Sequence, residues 1–369
     1  MTKILFFIDT LTGGGAEKVL RTLVNNMDQE KFDITVQTQE WEDPRGLLVP
    51  GIRYKAINRC KTGLGRKICS YWLRLCAELK WLYPLYIRDD YDIEVAYLEC
   101  GPTKFLAQST NKKARKIAWV HCDLKRREGM AEQADKLRKY YEKYHCVVCV
   151  AKTVQASYDA LFCGASESVV LYNVNDEEDV MKKAGAYQVS SVDAPVIAVV
   201  GRLSCEKGVD RLLKVCARLK DAGTDFHLRI VGDGPERQKL EQMARDMGLE
   251  DCLEFMGFQS NPYPVMAGAD IVVCPSRYEG FSTVVTEAMI LGRPVVTTPC
   301  SGMKELLGDN EYGIITADST EGIYEGLKKV LDDPELRKQY AEAAAVRGKA
   351  FSKEKLVKQT ERFFEELRK

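Results

Sequence analysis

The sequence predicts an α/β protein made of two Rossmann-like, doubly wound domains facing a cleft. Three observations predict it. The 369 residues exceed what one core ordinarily holds. Apolar β-branched runs alternate with stretches of helical period, the pattern of a parallel sheet covered by helices. The alternation stops once, at a polar stretch over 174–194, and then restarts. The expected domains are 1–174 and 175–352, with an amphipathic helix over 353–369 packing back on the first.

In the first half, strand 3–8 runs into Asp9 and then Gly13-Gly14-Gly15, and a helix follows through Val19, Leu20, Leu23 and Val24. Strands are expected at 34–38, 52–57, 93–98, 116–120, 147–150 and 169–172. Helices are expected at 65–88, 102–109, 128–144 and 153–162. Residues 174–194 carry Asp176, Glu177, Glu178 and Asp179, then Ser190 and Ser191, and read as an irregular linker. Strands 196–200, 227–231 and 253–256 then alternate with helices 208–221, 235–247 and 263–268. The apolar run 270–275, a helical stretch from Ser282 to about Gly292, and the run 295–298 form a further βαβ unit. Helices 320–331, 334–349 and 353–367 finish the chain.

Formal charge is zero overall but divided. Residues 1–152 hold 27 Lys and Arg against 19 Asp and Glu, and the remainder holds 27 against 35. Either the first half meets an anion or the charges are ordinary scatter. The 13 cysteines are scattered and odd in number, which fits a reducing compartment better than a disulfide framework. Cys146 and Cys149 have redox spacing but sit inside a β-branched run, so they read as a core strand. The first strand is too short for a signal peptide, and no run of 18 apolar residues spans a bilayer.

In parallel sheets, ligands sit at the carboxyl ends of strands, against helix starts. Two loops there stand out. Gly201-Arg202-Leu203-Ser204-Cys205-Glu206-Lys207-Gly208 puts two cations after a strand and before a helix, an anion-binding arrangement that suits a diphosphate. Glu279-Gly280-Phe281-Ser282-Thr283 follows the next such strand. That strand is the run 270–275, and the loop offers one acid, candidate capping hydroxyls and unpaired helix-start amides, with Glu287 on the helix behind. Eight helical residues rise about 12 Å. That separation favours two binding duties over a glycosidase pair, which needs carboxyls within about 10 Å. Val231-Gly232-Asp233-Gly234-Pro235 is equally a tight turn or a ligand loop. Gly13-Gly14-Gly15 allows close backbone approach or is simply a turn, and Lys18 stands where a dinucleotide fingerprint needs a third glycine. His121, one of three histidines, ends a strand, and Asp123 follows it. Asp90 and Asp92 have metal-binding spacing but precede their strand, the wrong end for a ligand, so a turn is expected.

The strings Gly201–Gly208 and Glu279–Glu287 resemble the signatures of family-4 retaining glycosyltransferases of the GT-B architecture, similar to bacterial polysaccharide-assembly hexosyl and N-acetylhexosaminyl transferases. The likeness is strong over 196–300 and looser before 170. It implies transfer from a nucleotide sugar, by family frequency a UDP-sugar, to a sugar hydroxyl of a cell-surface polysaccharide or lipid-linked glycan. It further implies that Arg202 and Lys207 bind the diphosphate and stabilise it on leaving, with no cofactor and no required metal. Glu279 would hold the donor sugar and Glu287 the ribose. Gly280, Phe281, Ser282 and Thr283 would face sugar and phosphate. Gly14, Gly15, Gly232 and Gly234 would approach the donor, and Gly257 and Phe258 the base. His121 would stand near the reacting centre, with Asp123 toward the acceptor.

The stripe Ile68, Trp72, Leu75, Leu79, Leu82 and Tyr86, flanked by Arg66, Lys67 and Arg74, reads as a core helix or as a membrane-surface helix. The second reading suits a cytoplasmic enzyme peripheral to the inner membrane. No nucleic-acid motif is found. The alternatives are an epimerase of the same architecture, a silent nucleotide-sugar-binding subunit and, disfavoured by the glycine pattern, an NAD-dependent oxidoreductase.

Overall fold

The computed structural model describes residues 1–58 and 83–368. They form two compact units, Met1–Val174 with Glu354–Lys369, and Asn175–Lys353. Most of the aromatic and basic helix expected over 66–88 lies outside the described residues. A short helix covers Tyr83–Tyr86.

The first unit holds β1 (Thr2–Ile8), β2 (Phe32–Glu40), β3 (Arg53–Asn58), β4 (Ile93–Ala96), β5 (Arg115–Val120), β6 (Cys146–Cys149) and β7 (Glu167–Val170). They pair in the order β3-β2-β1-β4-β5-β6-β7, parallel throughout. Helices cover both faces, so the central strands read as apolar runs, such as Ile4–Ile8 of β1 and Ile117–Val120 of β5, rather than alternating. Leu5, Phe6 and Ile8 of β1 are fully buried. In register, Ile4 of β1 faces Ile34 of β2 and Ile93 of β4. The closing helix, Lys353–Arg368, lays Phe364 against Phe6 and Phe32, with ring centroids 5.9 and 6.3 Å away. Glu361 accepts from the Asp28 amide at 2.6 Å, and Glu365 pairs with Lys31 at 3.0 Å.

The second unit holds β8 (Val196–Val200), β9 (His227–Val231), β10 (Leu253–Gly257), β11 (Ile271–Cys274), β12 (Val295–Thr297) and β13 (Ile314–Ile315), in the parallel order β10-β9-β8-β11-β12-β13. Its core is aliphatic. Leu212, Leu213, Cys216 and Leu219 of the helix Val209–Asp221 pack with Ile197, Leu228, Ile230 and Leu327. Strand order reverses between β8 and β11, which opens a crevice outside their carboxyl ends.

Two local expectations are corrected. Within the expected irregular linker, Glu177–Ala184 is a helix. Asp176 caps it by accepting from the Asp179 amide at 3.1 Å, acids fill its first turn, and Lys182 and Lys183 fill its last. Both ends suit the helix dipole, and the buried Val180 anchors it. A five-residue helix, Met303–Leu307, was also not expected; it is too short to show a period. Elsewhere the ends of elements differ by a few residues, as at β7, which starts two residues earlier than expected, and β4, which ends two residues earlier.

Candidate active site

The loops that follow β8 and β11 lie on either side of the second unit's crevice, and glycines let them meet. Gly208 has φ +66°, and a Cβ there would lie 2.1 Å from the Pro275 carbonyl oxygen. Charged clamps then hold the two loops together. Arg211 donates to the carbonyls of Pro275 and Ser276 at 2.7 and 2.8 Å. Arg277 grips Asp210 through two bonds of 2.8 and 2.7 Å and also donates to the Cys205 carbonyl. A bidentate pair of this kind fixes orientation as well as distance.

The result is that Lys207 Nζ lies 2.7 Å from Glu279 Oε1. The same oxygen accepts from Ser276 Oγ at 2.7 Å. Arg202, Val200, Cys274 and Val284 line the surrounding pocket with them. The lysine side chain is 31% exposed and the glutamate 12%. Burial by itself pulls the ammonium pKa down. The charge and hydrogen bond of Glu279, with Cys274 and Glu206 nearby, outweigh it and carry the group above the usual lysine range. Lys207 is therefore a permanent cation at neutral pH. Arg202 is exposed on the loop beside it.

Glu287 stands apart from this cluster. It is buried on the helix Thr283–Ile290 and accepts from the Tyr263 hydroxyl at 3.3 Å. The two acids thus have different partners. Of the two candidate capping hydroxyls, Ser282 is the cap, accepting from the Val285 amide at 3.3 Å, and Thr283 is the first helical residue. Phe281 is buried against Phe351, centroids 5.5 Å apart. Gly280 lies against Gly302, where a Cβ would come 2.7 Å from the Gly280 oxygen.

Gly232 and Gly234 have a backbone reason for being glycine. A Cβ at Gly232, whose φ is +142°, would lie 1.8 Å from the Gly201 oxygen. One at Gly234 would lie 2.4 Å from the Leu203 oxygen. These glycines let the β9 loop press against the cation-bearing loop. Gly257, with φ +69°, ends β10, and Phe258 beyond it is 74% exposed.

In the first unit, strand order reverses between β1 and β4. Gly14 caps the helix Gly15–Asn26 in extended conformation, and a Cβ on it would lie 2.4 Å from Glu17 Oε2. Asp9 follows β1. Its carboxyl is pushed up to about 6, by burial first and then by Glu17, Glu99 and Glu40. His121 follows β5 and leans on Tyr97, ring centroids 4.8 Å apart. Its Nε2 is buried with no hydrogen-bond partner among the described residues. Burial drives the imidazole down to about 4 against the pull of Glu99, so the ring is neutral at pH 7. Asp123 serves its own turn, accepting from the Lys125 amide at 3.1 Å and from Ser157 Oγ at 2.7 Å.

Glu99 was not foreseen. It accepts from the His121 amide at 3.2 Å, from Cys122 Sγ at 3.0 Å and from Arg127 at 3.2 Å. Its neighbour Cys100 has φ +68°, strained for a residue other than glycine. Ser276 was missed as well. Both stand just past a strand's carboxyl end, a signal available in the sequence.

Asp92 accepts from the amide of Lys3 in β1 at 2.8 Å, and Cys146 and Cys149 are buried in β6. Among the described residues no group of three or more His, Cys, Asp or Glu is arranged to hold a metal, and no helix is long and apolar enough to cross a membrane.

Residues 182–347 match the model of the family described as glycosyl transferases group 1. An N-acetylgalactosamine-N,N'-diacetylbacillosaminyl-diphospho-undecaprenol 4-alpha-N-acetylgalactosaminyltransferase of Campylobacter jejuni is 36% identical over 191 residues. That alignment covers 51% of this chain and 51% of the relative, so the match spans about half of that protein's length. A glycosyltransferase of Haemophilus influenzae is 24% identical over 366 residues, 97% of this chain and 99% of the relative. Among solved structures, Anabaena HepE in complex with UDP and glucose superposes with a TM-score of 0.78 over 99% of this chain and 100% of that one, at 19% identity, a likeness of fold. The chain has the two-domain α/β architecture called GT-B, and residues 182–347 of its second unit match the model of the glycosyl transferases group 1 family.

Proposed function

We propose that this chain is a retaining glycosyltransferase of bacterial polysaccharide or lipopolysaccharide assembly. It moves a hexosyl or N-acetylhexosaminyl unit from a UDP-sugar to a sugar hydroxyl of a polysaccharide or lipid-linked oligosaccharide precursor. One observation carries the reading: the permanent cation of Lys207, held beside Arg202 at the strand-order reversal of the group 1 domain. Breaking the bond between sugar and nucleotide leaves negative charge on the diphosphate. Cations fixed in place before the reaction stabilise that charge without reorganising. Arg202 and Lys207 fill this role without a metal. Glu279 and Ser276 orient the donor sugar, and Glu287 binds the ribose. Neutral His121 acts as a hydrogen-bonding group toward the sugar rather than as a charged acid.

The choice of UDP draws on HepE, which was solved with UDP and glucose. The choice of a lipid-linked acceptor draws on the diphospho-undecaprenol in the Campylobacter relative's name. The work would take place at the cytoplasmic face of the inner membrane.

A thermal-shift series with UDP, GDP, ADP and NAD, each with Mg²⁺ or EDTA, tests the reading. A ligand at a hundred times its Kd adds about 2.7 kcal/mol. For a domain of this size that raises Tm by about 5–10 °C. UDP alone should do so, equally in EDTA. A shift with NAD alone would overturn the assignment.

Glu287→Ala should raise the donor KM about tenfold and leave kcat within a few-fold, the signature of lost uniform binding. Steady-state kinetics over a range of UDP-sugar concentrations check it. An unchanged KM removes the ribose role.

A further inference from the structure

The carboxylate of Glu279 occupies the cation that a diphosphate needs. Lys207 Nζ is 2.7 Å from Glu279 Oε1, and Ser276 Oγ holds that oxygen in place at 2.7 Å. Both side chains are mostly shielded from water, so their attraction is weakly screened. We propose that Glu279 competes with the product diphosphate for Lys207 and so sets how fast the nucleotide leaves. The inference rests on the nucleotide-diphosphate reading of this site.

The physics is that of two anions and one cation. A nucleoside diphosphate entering the pocket must share Lys207 with Glu279 or displace it, and in either case two negative groups come close. With a nucleotide sugar, the glutamate has sugar hydroxyls to accept from, and its charge is partly spent on the donor. With the free diphosphate those hydroxyls are gone, while the leaving phosphate has gained charge. Glu279 then turns from a ligand of the donor into a rival of the product. A residue of this kind lowers affinity for product more than for donor, which keeps turnover from stalling on release.

Glu279→Gln removes the charge and keeps the shape. Titration calorimetry with UDP and with inorganic pyrophosphate should show both binding the variant about tenfold tighter than wild type, a size usual for coupling between two bound groups. In a Lys207→Ala background the same Glu279→Gln change should gain much less, because the competition runs through the lysine. That double-mutant cycle separates the effect from a general loosening of the pocket. Ser276→Ala frees Glu279 Oε1 without altering charge and should also tighten UDP, by a smaller factor.

If wild type binds UDP and Glu279→Gln binds it equally or more weakly, the inference is overturned and the nucleotide reading stands. So it is if the gain is as large without Lys207. If wild type binds none of UDP, GDP, ADP or pyrophosphate, the nucleotide reading falls and takes this inference with it.

Discussion

Lys207→Ala lowers kcat by roughly a hundredfold or more, the size of loss seen when one stabiliser of developing negative charge is removed. The change deletes the ammonium that lies 2.7 Å from Glu279 inside the pocket and leaves Arg202, exposed on its loop, as the nearer cation for a departing diphosphate. The fold should survive. Lys207 is 31% exposed, so water can take the place of its ammonium beside Glu279. Glu279 keeps its bond from Ser276. The measurement is UDP release from a saturating UDP-sugar, read beside the melting temperature. A folded variant with full turnover removes Lys207 from the chemistry and with it the main support for transfer. Lys207→Arg keeps the charge but changes its shape and reach, and should recover only part of the rate.

The parts of the site that could be read from the sequence are those whose chemistry is local. Arg202 and Lys207 share one loop between a strand and a helix, and Glu279 occupies the equivalent place after β11. Period and position alone put them at strand ends. Their meeting was not readable that way. It follows from strand order, because β8 and β11 are neighbours although 70 residues of sequence and two strands separate them. Glu99 shows the same limit. Its three partners, His121, Cys122 and Arg127, belong to the loop after β5, and no short motif records them. Gly232 and Gly234 were ambiguous because a sequence shows that a turn is needed but not which backbone lies across from it. The helix Glu177–Ala184 is a different case. Its capping acid and terminal lysines were visible, but the polar composition of the stretch hid them, and one buried residue, Val180, is all its core contact needs.

Gly232→Ala should therefore cost more than a glycine in an ordinary turn, and it should cost activity too. The backbone term is about 1–3 kcal/mol for holding an alanine at φ +142°. The steric term is larger in kind, since a Cβ 1.8 Å from the Gly201 oxygen cannot be accommodated by a side-chain rotation. Both atoms in conflict are fixed by strand ends. Gly232 donates to the Gly257 carbonyl at 2.8 Å, and Gly201 donates to Val231 at 3.0 Å. The β8 and β9 loops must separate, and the bond from the Leu203 amide to the Asp233 carbonyl, 2.9 Å long, is the next to go. A total of about 3 kcal/mol or more is expected, lowering Tm by about 6–12 °C. Because Arg202 and Lys207 ride on the displaced loop, kcat should fall even where the variant is folded. Gly223→Ala is the control. Gly223 also has positive φ, +73°, but a Cβ there meets nothing within 4 Å, so only the conformational term of about 1–2 kcal/mol remains. Thermal melts of the two variants, with UDP release measured well below both transitions, separate the terms. Equal losses in both would mean that backbone strain, and not contact between the two loops, explains the glycine at 232.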